Sequence, residues 1–387
     1  MKYDFSYYNP TKIYFGKNSL DNLEDELKNY KDNILLVYGG GSIKKIGLYD
    51  KVISILKKCK KNIIECSGVM PNPTLKKMLE GAKLAKDNNV DLILAVGGGS
   101  VIDCAKGMSV SAYIDNPYER FWINHEEVNH KVVPVASILT MVGTGSEMNG
   151  GSVITDEDRK LKIGRVFGPN VFPKFSILNP EYTYSVSQYQ MVSGIFDIMS
   201  HLMEQYFSGD DDNVSDYLIE ALLKNLIVNT KKALNNPKDY EARSNIMWDA
   251  TLALNTLVGL SKTQDWEVHM IEHQLGAYTD CAHGMGLACI SIPYYKHIYK
   301  FGLKKFVSFA LNVWNVEKGN KSDDEIALEG IDALAKFIKD SHMVTTLKEL
   351  NATKNMLLDI ANSCYVGGGY KKIDHKEIYQ ILLECYE

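Results

Sequence analysis

Asp91-Leu-Ile-Leu-Ala-Val-Gly-Gly-Gly-Ser-Val-Ile-Asp-Cys-Ala-Lys106 decides the fold. Its opening apolar run is short and lacks polar alternation, the pattern of a strand buried on both faces. Three glycines end the run, and helical spacing takes over from about Val101. A strand, a glycine turn and a helix in that order imply a βαβ unit, because parallel strands need a crossover that covers the sheet.

The same grammar repeats outward from this stretch. Upstream, Asn33–Tyr38 (NILLVY) is a buried-strand pattern followed by a second GGGS, and Leu48–Cys59 has helical spacing. Asn62–Glu65 is a short strand, and Thr74–Asn88 a helix with Thr74 as its N-cap. Downstream, Lys131–Ser137 adds a strand. After Asn179 the texture changes. A turn-rich segment offers an N-cap at Ser185 or Ser187, and helical periodicity then runs almost to the end, as in Val214–Leu234 and Glu241–Leu257. The expected fold is a Rossmann-like α/β dinucleotide-binding domain over residues 1–184 and an all-α domain over 185–387.

Composition narrows the function. Of 387 residues, 45% are hydrophobic and 24% charged, an ordinary globular balance. A net charge of −5 without a long basic run argues against nucleic acid and against an anionic membrane surface. No apolar stretch approaches the ~18 residues of a membrane span, and the N-terminus has no apolar signal core. The seven cysteines form no CxxC pair, which points to a reduced, cytoplasmic protein rather than to a cysteine metal site.

The glycine turns are candidate phosphate cradles, because they let backbone N–H groups approach an anion at a helix start. Gly97-Gly98-Gly99-Ser100, with Asp103 in the first helical turn, has that context but not the GxGxxG spacing, and serves equally as a plain tight turn. Gly39-Gly40-Gly41-Ser42 follows a strand whose end carries no carboxylate for a ribose 2′-hydroxyl, while Lys44 and Lys45 follow it. That charge would suit a 2′-phosphate; the alternative is a solvated lysine pair. Thr140–Glu147 is a third turn of small residues after a strand, whose hydroxyls could bind ligand or satisfy their own backbone.

Further on, Asp197 and His201 stand four apart in a helical stretch, as do His269 and His273, with His283 just past a turn. Each pair lies on one helix face. Four of nine histidines fall in this apolar region, where buried imidazole and carboxylate need partners. A divalent metal would serve all of them, and a mixed nitrogen–oxygen set suits Fe²⁺ or Zn²⁺ over Mg²⁺ or Ca²⁺.

Several long motifs carry a resemblance: NPTKIYFGKNSLDNL, VYGGGSIKKIGLYD, AVGGGSVIDCAKG, FDIMSHLMEQYF and DWEVHMIEHQLGAYTDCAHGMGLA. Over essentially the whole chain the sequence resembles the iron-containing (group III) alcohol dehydrogenases, within them the butanol dehydrogenase-like branch, of dehydroquinate synthase-like architecture. The resemblance implies a catalytic metal, Fe²⁺ or Zn²⁺, on Asp197, His201, His269 and His283, with His273 beside it as a non-ligand. It implies cofactor contacts at Ser42, Asn72, Gly98, Gly99, Ser100 and Asp103, and at Thr140, Thr144, Lys162 and Leu178. A glycine, Gly39 or Gly40, stands where NAD-preferring relatives carry an aspartate, so NADP(H) is expected over NAD(H).

The expected reaction is hydride exchange between a nicotinamide and a small primary alcohol or aldehyde such as butanol or butanal, with the metal polarising the substrate oxygen. His273 is the candidate proton relay, or else support for the metal site. Polyol-phosphate dehydrogenase-like and dehydroquinate synthase-like enzymes are the alternatives on the same scaffold. Their phosphorylated substrates call for Lys and Arg, and segments 194–206 and 265–287 contain none. A β-prone, tyrosine-rich N-terminus suggests pairing with a second copy, and hence a homodimer.

Overall fold

The computed structural model describes residues 1–387, which divide into two compact units. One spans Tyr8–Val186; the other joins Met1–Tyr7 to Ser187–Glu387. The first seven residues side with the C-terminal unit because they bond to it: the Tyr3 amide donates to Ser261 Oγ at 2.8 Å and Lys2 Nζ to the Asp210 carbonyl at 3.2 Å.

The α/β unit carries eight strands: β1 (Lys12–Phe15), β2 (Asn33–Tyr38), β3 (Asn62–Cys66), β4 (Leu92–Gly97), β5 (Val135–Leu139), β6 (Gly151–Asp156), β7 (Leu161–Val166) and β8 (Phe175–Leu178). Its helices are α1 (Leu23–Leu27), α2 (Ser42–Lys45), α3 (Leu48–Lys58), α4 (Leu75–Asp87) and α5 (Gly99–Ser111). Six strands form one parallel sheet in the order β1-β8-β5-β4-β2-β3, and β6–β7 is a separate antiparallel hairpin. Every residue of β4 is buried, as a strand covered on both faces must be. One face of the sheet, through Ile34, Leu36, Leu94 and Ile138, packs on Leu48, Val52 and Leu56 of α3. Thr74 Oγ1 caps α4 by accepting from the Lys77 amide at 3.2 Å.

From β2 the chain steps outward to β3, then back across to β4 on β2's other side. The order reverses there, so a crevice opens beyond the carboxyl ends of β2 and β4, where open α/β sheets bind ligands. Both GGGS turns lie at this edge.

The second unit is helical: α6 (Gln188–Tyr206), α7 (Val214–Asn235), α8 (Tyr240–Ala253), α9 (Glu267–Thr279), α10 (His283–Ile298), α11 (Leu303–Asn312), α12 (Asp323–Asp340), α13 (Leu357–Ser363) and α14 (His375–Tyr386). Ser187 is the cap of α6, its Oγ accepting from the Gln190 amide at 3.3 Å.

Candidate metal centre and nucleotide loops

Three helices of the C-terminal unit deliver the metal candidates. Along α6, Asp197, His201 and Glu204 follow at one-turn intervals and share a face. Along α9, Glu272 and His273 both follow His269 by about one turn, three and four residues on. His283 is the first residue of α10. Two glycines let α10 start this close to the others: a Cβ on Gly284 would stand 1.8 Å from the Ser193 carbonyl of α6, and one on Gly286 2.8 Å from Glu272 Cγ of α9.

The side chains converge on one atom. Asp197 Oδ1 lies 3.2 Å from His201 Nε2, 3.6 Å from His269 Nε2 and 3.5 Å from His283 Nε2. Ligands bonded at about 2.0–2.2 Å around a four-coordinate ion stand roughly 3.4 Å apart, so these separations are those of a ligand shell. Asp197, His201 and His269 are each at most 5% exposed, and His283 keeps 24% of its side chain open. Asp197 Oδ1 and His269 Nε2 are buried and make no hydrogen bond.

Two carboxylates absent from the sequence reading stand behind the imidazoles. Glu204 accepts from His269 Nδ1 and from Ser200 Oγ at 2.7 Å, and Glu272 accepts from His283 Nδ1. Both are fully buried. A carboxylate on Nδ1 leaves the Nε2 lone pair aimed at the centre. The signal was present: Glu204 is one turn past His201, and Glu272 one turn past His269.

Electrostatics point the same way. Burial pushes the His201 imidazole down to about 4, so it is neutral and able to ligate at pH 7. Burial would lift the Asp197 carboxyl, but the facing imidazoles, His201 foremost, hold it well below the usual carboxylate range. At His269, burial is outweighed by Glu204 and Asp197, and the imidazole is pushed up. Three carboxylates, those of Asp197, Glu204 and Glu272, are buried here, where segments 194–206 and 265–287 supply no Lys or Arg. A donor set of one carboxylate and three imidazoles fits a divalent cation of the Fe²⁺ or Zn²⁺ kind.

His273 is 5% exposed, and its ring centroid lies 5.6 Å from that of His283. With Glu272 and His283 it forms a second tight group, which overlaps the first only through His283.

In the α/β unit the predicted nucleotide residues line several adjoining turns. The Thr140 amide donates to the Gly97 carbonyl at 2.9 Å, which lays the turn after β5 against the turn after β4. Gly98 faces Met141, and a Cβ on Gly99 would lie 2.2 Å from Thr144 Oγ1. α5 begins at Gly99 with no side chain capping it, and Ser100 follows in its first turn. By contrast, a Cβ on Gly40 or Gly41 would meet nothing within 4 Å. Gly39 closes against the Val69 carbonyl, 3.1 Å from its would-be Cβ, and Ser42 opens α2. The open backbone at 40–41 and the uncapped helix start at 99 fit a phosphate-bearing cofactor.

Asn72 holds a left-handed backbone (φ +53°) shortly before α4. Lys162 is buried on β7 opposite Thr155, and Leu178 ends β8 beside Phe15 and Leu139. The Asp103 carboxylate accepts from Ser146 Oγ and from the Val153 amide at 3.0 Å. Lys106, which the sequence reading passed over, is fully buried and donates to Ser146 Oγ, Asn149 Oδ1 and the Gly151 carbonyl at 2.8–3.1 Å. Asp103 and Lys106 therefore fasten the 144–151 loop to α5.

Comparison with known proteins covers nearly the whole chain. Residues 10–180 match the family model described as iron-containing alcohol dehydrogenase, and residues 191–386 match that of the Fe-containing alcohol dehydrogenase family, C-terminal. NADH-dependent butanol dehydrogenase A of Clostridium acetobutylicum is 40% identical across 99% of both chains. NADPH-dependent aldehyde reductase YqhD of Escherichia coli is 34% identical across 89% of both. The crystal structure of NADH-dependent butanol dehydrogenase A from Thermotoga maritima superposes with a TM-score of 0.94 at 33% identity, covering 100% of this chain and 99% of its own.

Proposed function

The chain belongs to the iron-containing alcohol dehydrogenase family and is an NAD(P)-dependent alcohol dehydrogenase or aldehyde reductase; we propose that it depends on one divalent metal, Fe²⁺ or Zn²⁺, held by Asp197, His201, His269 and His283. Its substrates are small primary alcohols and aldehydes of the butanol and butanal class, a reading supported by relatives named for butanol. One observation carries the metal proposal: three imidazole Nε2 atoms surround a single buried Asp197 oxygen, two of them steered there by buried glutamates.

A cation bound there supplies Lewis acidity toward the substrate oxygen, and the nicotinamide supplies the hydride chemistry. The rest falls to the protein. Glu204 and Glu272 hold His269 and His283 in the ligating tautomer. The absence of Lys and Arg from the ligand segments favours an uncharged substrate over a phosphorylated one. His273 moves the alcohol proton toward solvent. The pH profile of kcat/KM for His273→Gln tests that role, and a profile that overlays the wild type would assign His273 to support alone.

Gly98, Gly99, Ser100, Thr140 and Thr144 form the pyrophosphate side of the cofactor site, with Gly39, Gly40, Ser42 and Asn72 toward its adenosine end and Lys162 and Leu178 completing it; Asp103 acts through the 144–151 loop. The expectation of NADP(H) rested on a glycine, Gly39 or Gly40, in place of an aspartate, and on the charge of Lys44 and Lys45 after it. A homodimer is supported by β1, an edge strand, and by exposed Phe5 and Tyr8. No helix is long and apolar enough to cross a membrane; no disulfide joins any of the seven cysteines, which supports a cytoplasmic setting.

The test is oxidation of NADH and of NADPH by purified protein with butanal, before and after chelation, with Fe²⁺ or Zn²⁺ restored. Activity that disappears with the metal and returns with it is expected. Turnover undiminished by complete chelation would overturn the metal proposal, and inactivity of the metal-loaded protein on aldehydes would overturn the substrate.

A further inference from the structure

Beyond the carboxyl ends of β2 and β3 lies a cluster that neither turn nor motif accounts for. Leu36 pairs with Glu65 in the parallel register, so Glu65 sits at the end of β3 beside Tyr38, the last residue before the Gly39 turn. The Glu65 carboxylate accepts from Tyr38 Oη at 2.6 Å and from Tyr49 Oη at 2.9 Å. The two rings meet edge to face with centroids 5.6 Å apart. Lys44 Nζ lies over both, 5.2 Å from the Tyr38 centroid and 4.6 Å from that of Tyr49. The Tyr38 hydrogen bond first, and the charge of Lys44 among the lesser causes, keep the Glu65 carboxyl below its ordinary value. Lys44 is therefore committed to two aromatic faces and a neighbouring carboxylate.

The position of the cluster gives it meaning. The crevice for a dinucleotide opens between β2 and β4, and β3 is the next strand outward on the β2 side. Tyr38 directly precedes the Gly39–Ser42 turn, which the cofactor reading above puts toward the adenosine end, and its hydroxyl holds Glu65 at that turn.

Resting on the cofactor reading above, we infer that Glu65 is a specificity-determining residue for the adenosine 2′ position: its carboxylate offsets Lys44 and opposes a 2′-phosphate, so that the site prefers NADH to NADPH. A phosphomonoester brings a charge of about −1.5 to −2 at pH 7. To reach Lys44 it must approach Glu65, and the attraction of one offsets the repulsion of the other. A 2′-hydroxyl carries no charge and meets no such opposition. Glu65→Gln retains an acceptor for both tyrosines while leaving Lys44 uncompensated, which turns the same corner into an anion site.

Equilibrium titration of NADH and NADPH, followed by protein fluorescence without substrate, reads this directly. The wild type should bind NADH more tightly. Glu65→Gln should tighten NADPH by about tenfold, the scale of removing one facing charge near a surface, with NADH changed less than about twofold. Lys44→Met added to Glu65→Gln should abolish the gain, and added salt should reduce it. Melting temperatures of both variants verify that the fold persists. Equal shifts for both nucleotides, an unchanged NADPH affinity, or a wild type that prefers NADPH would each overturn the inference. Binding of neither nucleotide to the wild type would contradict the cofactor reading itself.

Discussion

The ligand cluster of the helical unit and the glycine turns of the α/β unit solve opposite problems. The first concentrates charged and polar side chains where water is excluded; Asp197, Glu204 and Glu272 are buried with no Lys or Arg in their segments. The second removes side chains altogether, so that backbone at Gly40–Gly41 stays open and the start of α5 stays uncapped. Truncation should therefore damage the first and enlargement the second. A buried ligand cannot be deleted without leaving its partners uncompensated, whereas a single added methyl group can close a turn.

The largest expected effect tests the first half. Asp197→Asn keeps the shape but removes the charge on which three imidazoles converge. Loss of Lewis acidity is worth several kcal/mol, so kcat/KM should fall by about a thousandfold or more as bound metal is lost. A variant with full metal content and activity would show that Asp197 is not a ligand. Next come Glu204→Gln and Glu272→Gln, which touch no ion but release His269 or His283. Metal affinity measured by chelator competition should weaken about 10–100-fold in each. Unchanged affinity would reduce these glutamates to packing.

The turns should respond in the reverse sense. At Gly99 an added Cβ collides with Thr144, so Gly99→Ala costs fold stability, about 1–3 kcal/mol by the usual price of overpacking. At Gly40 nothing lies within 4 Å of an added Cβ. Gly40→Ala should leave the melting temperature alone yet weaken nucleotide binding, by about tenfold if the methyl displaces one good contact. Metal content should be untouched in both. If Gly40→Ala binds nucleotide like the wild type, the turn does not face the cofactor.

The smallest effect comes from a contrast within the helical unit. Asp249 is as buried as Asp197, but its carboxylate faces only the Asn225 amide, at 2.9–3.0 Å, and burial pushes its carboxyl up to about 7. Because this folded-state value lies above the unfolded value of about 3.9, the stability it contributes is fully present below pH 4 and is lost as pH rises through 7. Asp249→Asn, a mimic of the protonated form, should melt at nearly the wild-type temperature at pH 4 and a few degrees higher by pH 7, on the scale of 2–4 °C per kcal/mol. An advantage that does not vary with pH would show that Asp249 stays ionised.

These differences also explain what the sequence could reveal. The pairs Asp197/His201 and His269/His273 were legible because one-turn spacing survives in a one-dimensional string. The tautomer-fixing bonds of Glu204 and Glu272 join different helices, although both residues lie one turn past a histidine. Strands β2 and β4 were legible as long apolar runs. Strands β1 and β8 are four residues each and hold their conformation through pairing with one another, a contact between residues about 160 apart. The β6–β7 hairpin was hidden by its polar turn and by residues such as Lys162 and Arg165. The opening of α5 at Gly99 rather than Val101 is an end effect of the glycine turn. The charge at Lys44 was legible, but its commitment to Tyr38, Tyr49 and Glu65 was not, because Glu65 arrives from a neighbouring strand.

The most direct test of the metal centre is X-ray absorption at the metal edge of the purified, metal-loaded protein. The expected first shell contains nitrogen and oxygen only, at about 2.0–2.2 Å, with outer-shell scattering from imidazole that diminishes in His269→Ala. Cys281 supplies the contradicting alternative, since its Sγ lies 3.9 Å from Glu272 Oε1, on the edge of the cluster. A sulfur shell at about 2.3 Å, or a spectrum indifferent to His269, would mean that the metal is held elsewhere or by other ligands.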